Sequence, residues 1–221
     1  MIVGCPVRDR GWVINHWHEY LNRAIVDDVP FVLAGAEDDP TRDVIDFNHI
    51  WLSTGEQFSP YQRDWANNRW QQISDVRNLL LDYVSQFEQD FLSVDSDILV
   101  HPEQVDVMRE CRDRFDVVGG KVYLSPKGKF HASYANLGRN MQLKRSDSTG
   151  TFRVDVVMAL KLMSPEVVQQ VRYRPAPHGE DIGFSQDTAK AGFKLGWTGA
   201  VCSKHLFTRE CLQRVDQRCG F

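Results

Sequence analysis

The sequence predicts an α/β fold in which a mostly parallel, mixed β-sheet is covered by helices on both faces. Short apolar runs typical of buried strands alternate along the chain with longer segments in which apolar residues recur at helical spacing. The 221 residues are 42% hydrophobic and 25% charged, which is ordinary for a globular protein and sufficient for one substantial core. We therefore expect a single domain that spans residues 1–221.

The first half of the chain is predicted to contain four strands and two helices. A turn through Pro6 separates the first strand from a helix whose apolar residues recur at roughly helical spacing from Trp12 to Ile25. A second helix shows the same pattern from Ile73 to Phe87 and leads into the strand before Asp95. The predicted strands are Ile2 to Cys5, Phe31 to Ala34, His49 to Leu52 and the apolar run within residues 90–102.

The second half continues this alternation. Pro102 begins a predicted helix that extends to about Phe115, and Pro165 begins a short one. Another helix begins at His178-Gly179-Glu180-Asp181, where acidic residues suit the positive end of the helix dipole, and Gly192 ends it. The remaining predicted elements are strands Asp116 to Leu124, Arg153 to Leu162, Lys194 to Trp197 and Ala200 to Ser203, and a polar helix from about Arg209.

The segment Asp95-Ser96-Asp97 follows an apolar strand and gives the clearest indication of chemistry. Because side chains alternate along an extended strand, Asp95 and Asp97 are expected to project to the same side. Two carboxylates placed in this way suit Mg²⁺ or Mn²⁺, which fill their open positions with the oxygens of a substrate diphosphate. The alternative is a solvated turn between strand and loop that happens to contain two aspartates.

The cysteine content and the hydrophobicity of the chain exclude several classes of protein. The five cysteines are scattered and form no Cys-x-x-Cys pair, which argues for reduced thiols and against a zinc cluster or a disulfide framework. No apolar run approaches the roughly 18 residues that a membrane-spanning helix needs, and the N-terminus lacks the pattern of a signal segment. The sequence therefore predicts a soluble, cytoplasmic protein without a transmembrane segment.

Five features in order resemble those of the GT-A fold glycosyltransferases, which use a nucleotide-sugar donor and a DxD metal site. They are the first strand with its loop Cys5 to Asp9, the pair Arg77-Asn78, Asp95-Ser96-Asp97, the pair Glu180-Asp181 and His205. The resemblance is of the family 2 type and covers nearly the whole chain. It implies a Rossmann-like GT-A fold, with a nucleotide-binding half over residues 1–100 and an acceptor-binding half over residues 101–221.

The resemblance also implies where the nucleotide and the metal ion bind. The loop after the first strand would run along the base and ribose, an acid after the second strand would meet the base, and Arg8 and Arg77 would lie near the nucleotide or its phosphates. The implied nucleotide-binding residues are Pro6, Val7, Arg8, Asp38, Asp39, Arg77, Asp95 and Ser96. A third metal ligand, beside Asp95 and Asp97, would be His205, with His178 as the competitor. An imidazole ligand suits Mn²⁺ better than Mg²⁺.

The acidic pair Glu180-Asp181 is the candidate for proton transfer in the reaction. An acceptor hydroxyl is a poor nucleophile at neutral pH, so a carboxylate that takes its proton would make inverting transfer feasible. Asp181 is the candidate base, and Glu180 would orient the loop or bind the acceptor, although the sequence leaves their roles open. Ordinary capping of a helix by acids is the alternative. An arginine that often follows the pair in inverting enzymes is absent, so a retaining outcome also stays open.

A basic stretch between Val117 and Ser146 bears on the identity of the acceptor. It contains six basic residues and no acid, whereas the rest of the chain has 20 basic and 30 acidic residues. Aromatic residues interleave with these charges, a mixture that suits phosphates and bases. The predicted acceptor-binding residues are Lys127, Lys129, Lys144 and Arg145. A solvated hairpin, whose lysines serve only solubility, is the alternative.

The function predicted from the sequence is therefore transfer of a hexose from a nucleotide-sugar, with a UDP-sugar favoured, to an acceptor hydroxyl. The basic stretch suits an anionic acceptor such as a hydroxylated base in phage DNA, which would place the protein in a bacterial or phage-infected cell. A cell-surface glycan or glycolipid acceptor is the alternative. A nucleotidyltransferase is a further alternative, although such enzymes usually have a Gly-rich phosphate loop after the first strand, which this chain lacks. A non-catalytic nucleotide-sugar binding module is another alternative.

Overall fold

A computed structural model of the chain describes residues 1–58, 65–122, 134–136, 148–206 and 208–212, with backbone alone for 65–68. The strands are β1 Ile2–Pro6, β2 Phe31–Gly35, β3 Ile50–Ser53, β4 Phe91–Val94, β5 Ile98–Leu99, β6 Val117–Val122, β7 Tyr134–Ala135, β8 Thr151–Arg153, β9 Val156–Val157, β10 Leu160–Met163 and β11 Leu195–His205. The helices are α1 Ile14–Ala24, α2 Trp65–Val84, α3 Gln104–Glu110, α4 Pro165–Gln170 and α5 Glu180–Lys190.

One mixed sheet of nine strands forms the centre of the described part of the chain. Eight of its strands follow the order β3-β2-β1-β4-β10-β6-β11-β5, and β8 pairs with β11. Strands β3, β2, β1 and β4 are mutually parallel, as are β6 and β11, whereas β10 runs antiparallel between β4 and β6. The prediction of a mostly parallel, mixed sheet is confirmed.

Apolar side chains cover both faces of this sheet. On one face, Trp17 and Leu21 of α1 and Met108 of α3 pack with Val3 of β1. On the other face, α2, α4 and α5 cover the sheet, and neighbouring Ile2 of β1 belongs to their cluster. Since successive strand residues point to opposite faces, the continuous apolar runs of the sequence become strands that are buried on both sides.

The chain crosses from one side of β1 to the other between its third and fourth strands. It builds β2 and β3 on one side of β1 and then returns through α2 to place β4 on the opposite side. The parallel strands β1 to β4 all end at the same edge of the sheet. In open α/β sheets, ligands bind outside the carboxyl ends of the strands at such a reversal of strand order.

Several element boundaries differ from the prediction. Helix α2 already begins at Trp65, and α3 ends at Glu110 instead of near Phe115. The segment Arg153 to Leu162 contributes to three short strands instead of one. Ala159, with φ +59°, turns the chain between the second and the third of them, β9 and β10. Each of these changes depends on a local turn or on packing that apolar spacing does not report.

The last strand is continuous although its sequence contains a turn signal. We predicted two strands separated at Gly199, but β11 runs through this position with a register shift between Thr198 and Cys202. A Cβ atom at Gly199 would lie 2.1 Å from the backbone oxygen of Ser148, so glycine permits a close approach of two backbones here. Among the described residues, no helix is long and apolar enough to cross a membrane.

Candidate functional site

A cavity of about 490 Å³ lies at the carboxyl ends of strands β1 to β4. Each strand contributes residues at or just beyond its end, and one face of α2 closes the side. The lining residues are Pro6, Val7, Arg8, Arg10, Gly35, Ala36, Asp39, Thr54, Glu56, Gln57, Phe58, Arg69, Gln72, Ile73, Val76, Arg77, Asp95, Ser96, Asp97 and His205. The fold thus places a polar, charged cavity at the point where the strand order reverses.

The segment Asp95-Ser96-Asp97 forms a tight turn between β4 and β5. The Asp95 amide donates to the Ala159 carbonyl (2.9 Å), and the Ile98 amide donates back to the Asp95 carbonyl (3.0 Å). These bonds fix the backbone on both sides of the turn. Asp95 and Asp97 both line the cavity. They lie in a turn, however, and not in the extended strand from whose alternation the sequence placed them on one side.

The Asp97 carboxylate lies between a histidine and an arginine. His205 Nε2 is 3.3 Å from Asp97 Oδ1, and Arg10 Nη2 is 3.3 Å from Oδ2. Pairing of His205 with Ile98 in the β5–β11 ladder brings the imidazole to this position. Burial by itself would raise the pKa of Asp97, but His205 and Arg10 together hold that pKa below its ordinary value. Asp97 is therefore an ionised carboxylate beside an imidazole.

Arg77 of α2 connects the Asp95 turn with the first turn of α5. Its Nη2 donates to Asp95 Oδ1 (2.6 Å) and its Nε donates to Glu180 Oε1 (3.1 Å), while the side chain is only 3% exposed. Burial raises the pKa of both Asp95 and Glu180, and the nearby Asp181 charge adds to this effect. Asn78 exchanges two hydrogen bonds with the Tyr173 backbone and so fixes α2 against the segment before α5.

Asp181 lies beside Glu180 but binds a different cation. Its carboxylate accepts a short hydrogen bond from Lys161 Nζ of β10, a side chain with no exposed surface. Although burial opposes ionisation, Lys161 and then Arg77 hold the pKa of Asp181 below its ordinary value. The same pairing raises the pKa of Lys161 against the effect of burial. The two acids that the sequence singled out together thus occupy different electrostatic environments.

Backbone strain is concentrated around this site. Among the described residues, the non-glycine positions with positive φ are Asp9, Ala159 and His178, at +51°, +59° and +73°. Asp9 lies in the loop after β1, Ala159 precedes Lys161, and His178 precedes α5. Left-handed conformations of such residues cost energy and cluster at functional sites. His178, the competing candidate ligand, is exposed and is not part of the cavity lining.

The loop after β1 and the acids after β2 form one connected unit. Asp39 is 2% exposed and accepts from the Asp9 amide (3.0 Å) and the Thr41 amide (2.9 Å). Its carboxylate therefore shapes the loop that carries Arg8, and it also lines the cavity. Neighbouring Asp38 is exposed, accepts from the Phe58 amide and lies outside the cavity lining.

The structure brings together most of the residues predicted for the nucleotide and the metal ion. Those that line the cavity are Pro6, Val7, Arg8, Asp39, Arg77, Asp95, Ser96, Asp97 and His205. Glu180 and Asp181 lie behind this lining, linked to it through Arg77. The predicted acceptor-binding residues Lys127, Lys129, Lys144 and Arg145 lie outside the described residues. Lys121, which belongs to the same basic stretch, is a buried residue of β6.

The contacts of two basic residues of the site were not predicted. The resemblance placed the loop from Pro6 to Arg10 along the nucleotide, with a solvated loop as the alternative, but the contact of Arg10 with Asp97 across 87 residues of sequence was not foreseen. Lys161 had no predicted role. A signal for it exists, because it interrupts the apolar run Ala159 to Met163, and a lysine within a buried strand requires an acidic partner.

Comparison with known proteins identifies the fold. No protein-family model and no curated protein matches the sequence. A mycobacterial protein of known crystal structure matches over 93% of this chain and 67% of its own, with 14% identity and a TM-score of 0.56. Residues 1–349 of TarS from S. aureus, a GT-A-type glycosyltransferase, match over 97% of this chain and 63% of its own, with 15% identity and a TM-score of 0.54. The chain shares the mixed α/β fold of these structures and spans about two thirds of each of them.

Proposed function

Starting from this fold, we propose that the protein is a metal-dependent glycosyltransferase that moves a sugar from a nucleotide-sugar, with a UDP-sugar favoured, to an acceptor hydroxyl. The observation that carries the proposal is the cavity at the reversal of strand order, where Asp97 and His205 lie beside Arg8, Arg10 and Arg77. Cations of this kind suit the negative charge of a nucleoside diphosphate, and a volume of about 490 Å³ suits a small-molecule ligand.

Asp97 and His205 are the residues we propose as protein ligands for Mn²⁺ or Mg²⁺. Both line the cavity, and the two ligand atoms, Asp97 Oδ1 and His205 Nε2, are 3.3 Å apart. No cluster of three or more metal-ligating side chains occurs in the part of the chain that the structure describes. At nucleotide sites such ions usually take one or two protein ligands, and phosphate oxygens and water supply the others. Asp95 is bound to Arg77, so its sharing of the ion stays a prediction.

In the proposed chemistry the metal ion assists the leaving group and Asp181 activates the acceptor. When bound, the ion acts as a Lewis acid that stabilises negative charge on the departing diphosphate. Asp181 takes the proton of the acceptor hydroxyl as its oxygen attacks the anomeric carbon. We favour Asp181 over Glu180 because its side chain is 15% exposed, whereas that of Glu180 is 5% exposed and bound to Arg77.

A thermal-shift panel of nucleotide-sugars with and without Mn²⁺ tests the proposal. A ligand present at about 100 times its Kd stabilises the native state by about 2.7 kcal/mol, or about 5–11 °C in Tm for a chain of this size. We expect a UDP-sugar to give this shift only with Mn²⁺, and Asp97→Asn to abolish it. Asp82→Asn is the matched control, because Asp82 pairs with Arg172 on the surface. The proposal fails if no nucleotide-sugar shifts the Tm.

The products of the reaction separate the alternatives. Incubation of the protein with the stabilising UDP-sugar and Mn²⁺ should release UDP, which is measured by chromatography. Formation of a nucleotide-sugar with release of pyrophosphate would instead indicate a nucleotidyltransferase. Binding without any turnover, over a range of acceptors, would indicate a non-catalytic binding module.

We also propose that the acceptor is anionic, with a modified base in DNA as one candidate and an anionic glycolipid or cell-wall precursor as the other. The support is the excess of six positive charges between Val117 and Ser146 in a chain whose formal net charge is −4.

A further inference from the structure

We propose that Lys161 is a positioning residue that holds the Asp181 carboxylate in place and in its ionised form for proton transfer from the acceptor hydroxyl. This inference rests on the proposed function and adds to it a residue outside the cavity lining. Lys161 is a charged residue within the central sheet. Lys161 lies in the middle of the sheet, in β10, where it faces Ser93 of β4 and Gly119 of β6 in the strand register.

The Lys161 ammonium group lies in a buried environment next to aromatic rings. The side chain has no exposed surface, and Nζ lies 5.0 Å from the ring centroid of Tyr173 and 5.8 Å from that of Phe184. These rings stack on each other with centroids 4.3 Å apart and form an apolar wall. A buried ammonium group is stable only beside a negative charge, and the hydrogen bond to Asp181 supplies it.

The position of the pair in the fold gives it a functional meaning. Asp181 lies in the first turn of α5, where the helix dipole favours negative charge, and the ion pair ties this turn to the central strand β10. Asp95 and Glu180 share Arg77, so the cluster holds three carboxylates and two cations.

Removing Lys161 would therefore change the protonation of the whole cluster. The charged or titratable groups that act on Asp181 are Lys161 of β10, Arg77 of α2, Glu180 of α5, Asp95 after β4 and Tyr173 before α5. Without Lys161, three buried carboxylates would face one cation, and desolvation would favour a proton on Asp181 at neutral pH. A protonated Asp181 cannot take the proton of the acceptor hydroxyl. The acceptor oxygen then does not form its bond to the anomeric carbon, and the diphosphate is not displaced.

The variant Lys161→Met tests the role of the charge in a side chain of similar length. We expect the acidic limb of the kcat profile to lie about two pH units higher in K161M than in the wild type. The ratio of kcat of K161M to that of the wild type should therefore be about tenfold lower at pH 5 than at pH 8. Lys190→Met is the matched control, because exposed Lys190 pairs with Asp187 of the same helix (3.2 Å). An unchanged pH profile in K161M would refute the proposal.

A second measurement does not depend on turnover. Carboxyl ¹³C shifts of labelled aspartate report the pKa of Asp181, whose signal is identified by its loss in Asp181→Asn. We expect this pKa to rise in K161M and to stay unchanged in Lys190→Met. If K161M does not fold, Lys161→Gln replaces it, and the double variant Lys161→Met/Asp181→Asn should fold, because it leaves no unpaired buried charge at this pair. If the wild type turns over no nucleotide-sugar, the proposed function fails, whereas an unchanged Asp181 pKa refutes the role of Lys161.

Discussion

Replacement of Arg77 by methionine removes the buried cation that connects two parts of the site. The Arg77 side chain is 3% exposed, and its guanidinium binds Asp95 at 2.6 Å and Glu180 at 3.1 Å. Removal of one partner from a buried ion pair typically costs about 3–5 kcal/mol, because the remaining charge is left unpaired. For a chain of this size we expect Arg77→Met to lower Tm by about 6–20 °C.

The pH dependence of this loss identifies its cause. In Arg77→Met, the two carboxylates have lost their cation, so the pKa of each should rise further above the value in the unfolded chain. The destabilisation is then full at pH values above the folded pKa and decreases as the pH falls through it, because protonation removes the unpaired charge. Urea unfolding followed by tryptophan fluorescence at pH 8 and pH 5 measures the difference. We expect a smaller cost at pH 5.

Arg172→Met is the matched control for this prediction. Arg172 forms a similar pair with Asp82 (2.9 Å), but the two side chains are 38% and 62% exposed. Solvent screening limits such a pair to about 0–1 kcal/mol. The reasoning is refuted if Arg77→Met costs no more free energy of unfolding than Arg172→Met, or if its cost is the same at both pH values.

Further predictions concern acid stability, packing and the acceptor. Because Asp97 and Asp181 have lowered pKa values, their contribution to stability is present above about pH 4 and is lost as the pH falls further. Tm measured between pH 5 and pH 3 should therefore fall less steeply in Asp181→Asn. A Cβ atom at Gly196 would lie 2.3 Å from the ring of Phe115, so Gly196→Ala should cost about 1–3 kcal/mol in urea unfolding, whereas Gly150→Ala should cost about 0.5 kcal/mol or less. Neutral replacement of Lys127, Lys129, Lys144 and Arg145 should reduce the salt dependence of binding to a polyanionic acceptor, and an unchanged slope would show that the basic stretch does not contact it.

The sequence predicted many of the residues that line the cavity because its signals are local. Asp95 and Asp97 follow the apolar strand β4, and Pro6 is the last residue of β1. All three lie at strand ends and line the cavity. The carboxyl ends of parallel strands meet at one edge of a sheet, so a list of strand ends already approximates a list of cavity residues. The placement of His205 was also predicted, but only through the family resemblance, since a single histidine has no local signature.

What the sequence by itself determined is therefore the class of fold and the residues at strand and helix ends, because hydrophobic periodicity and turn chemistry act over a few residues. The tertiary structure alone decided which charges meet. Arg77 and Glu180 are 103 residues apart, and Lys161 and Asp181 pair only because β10 enters the sheet antiparallel beside β4. Such contacts depend on strand order and register, and these are set by burial of the whole core instead of by any local pattern.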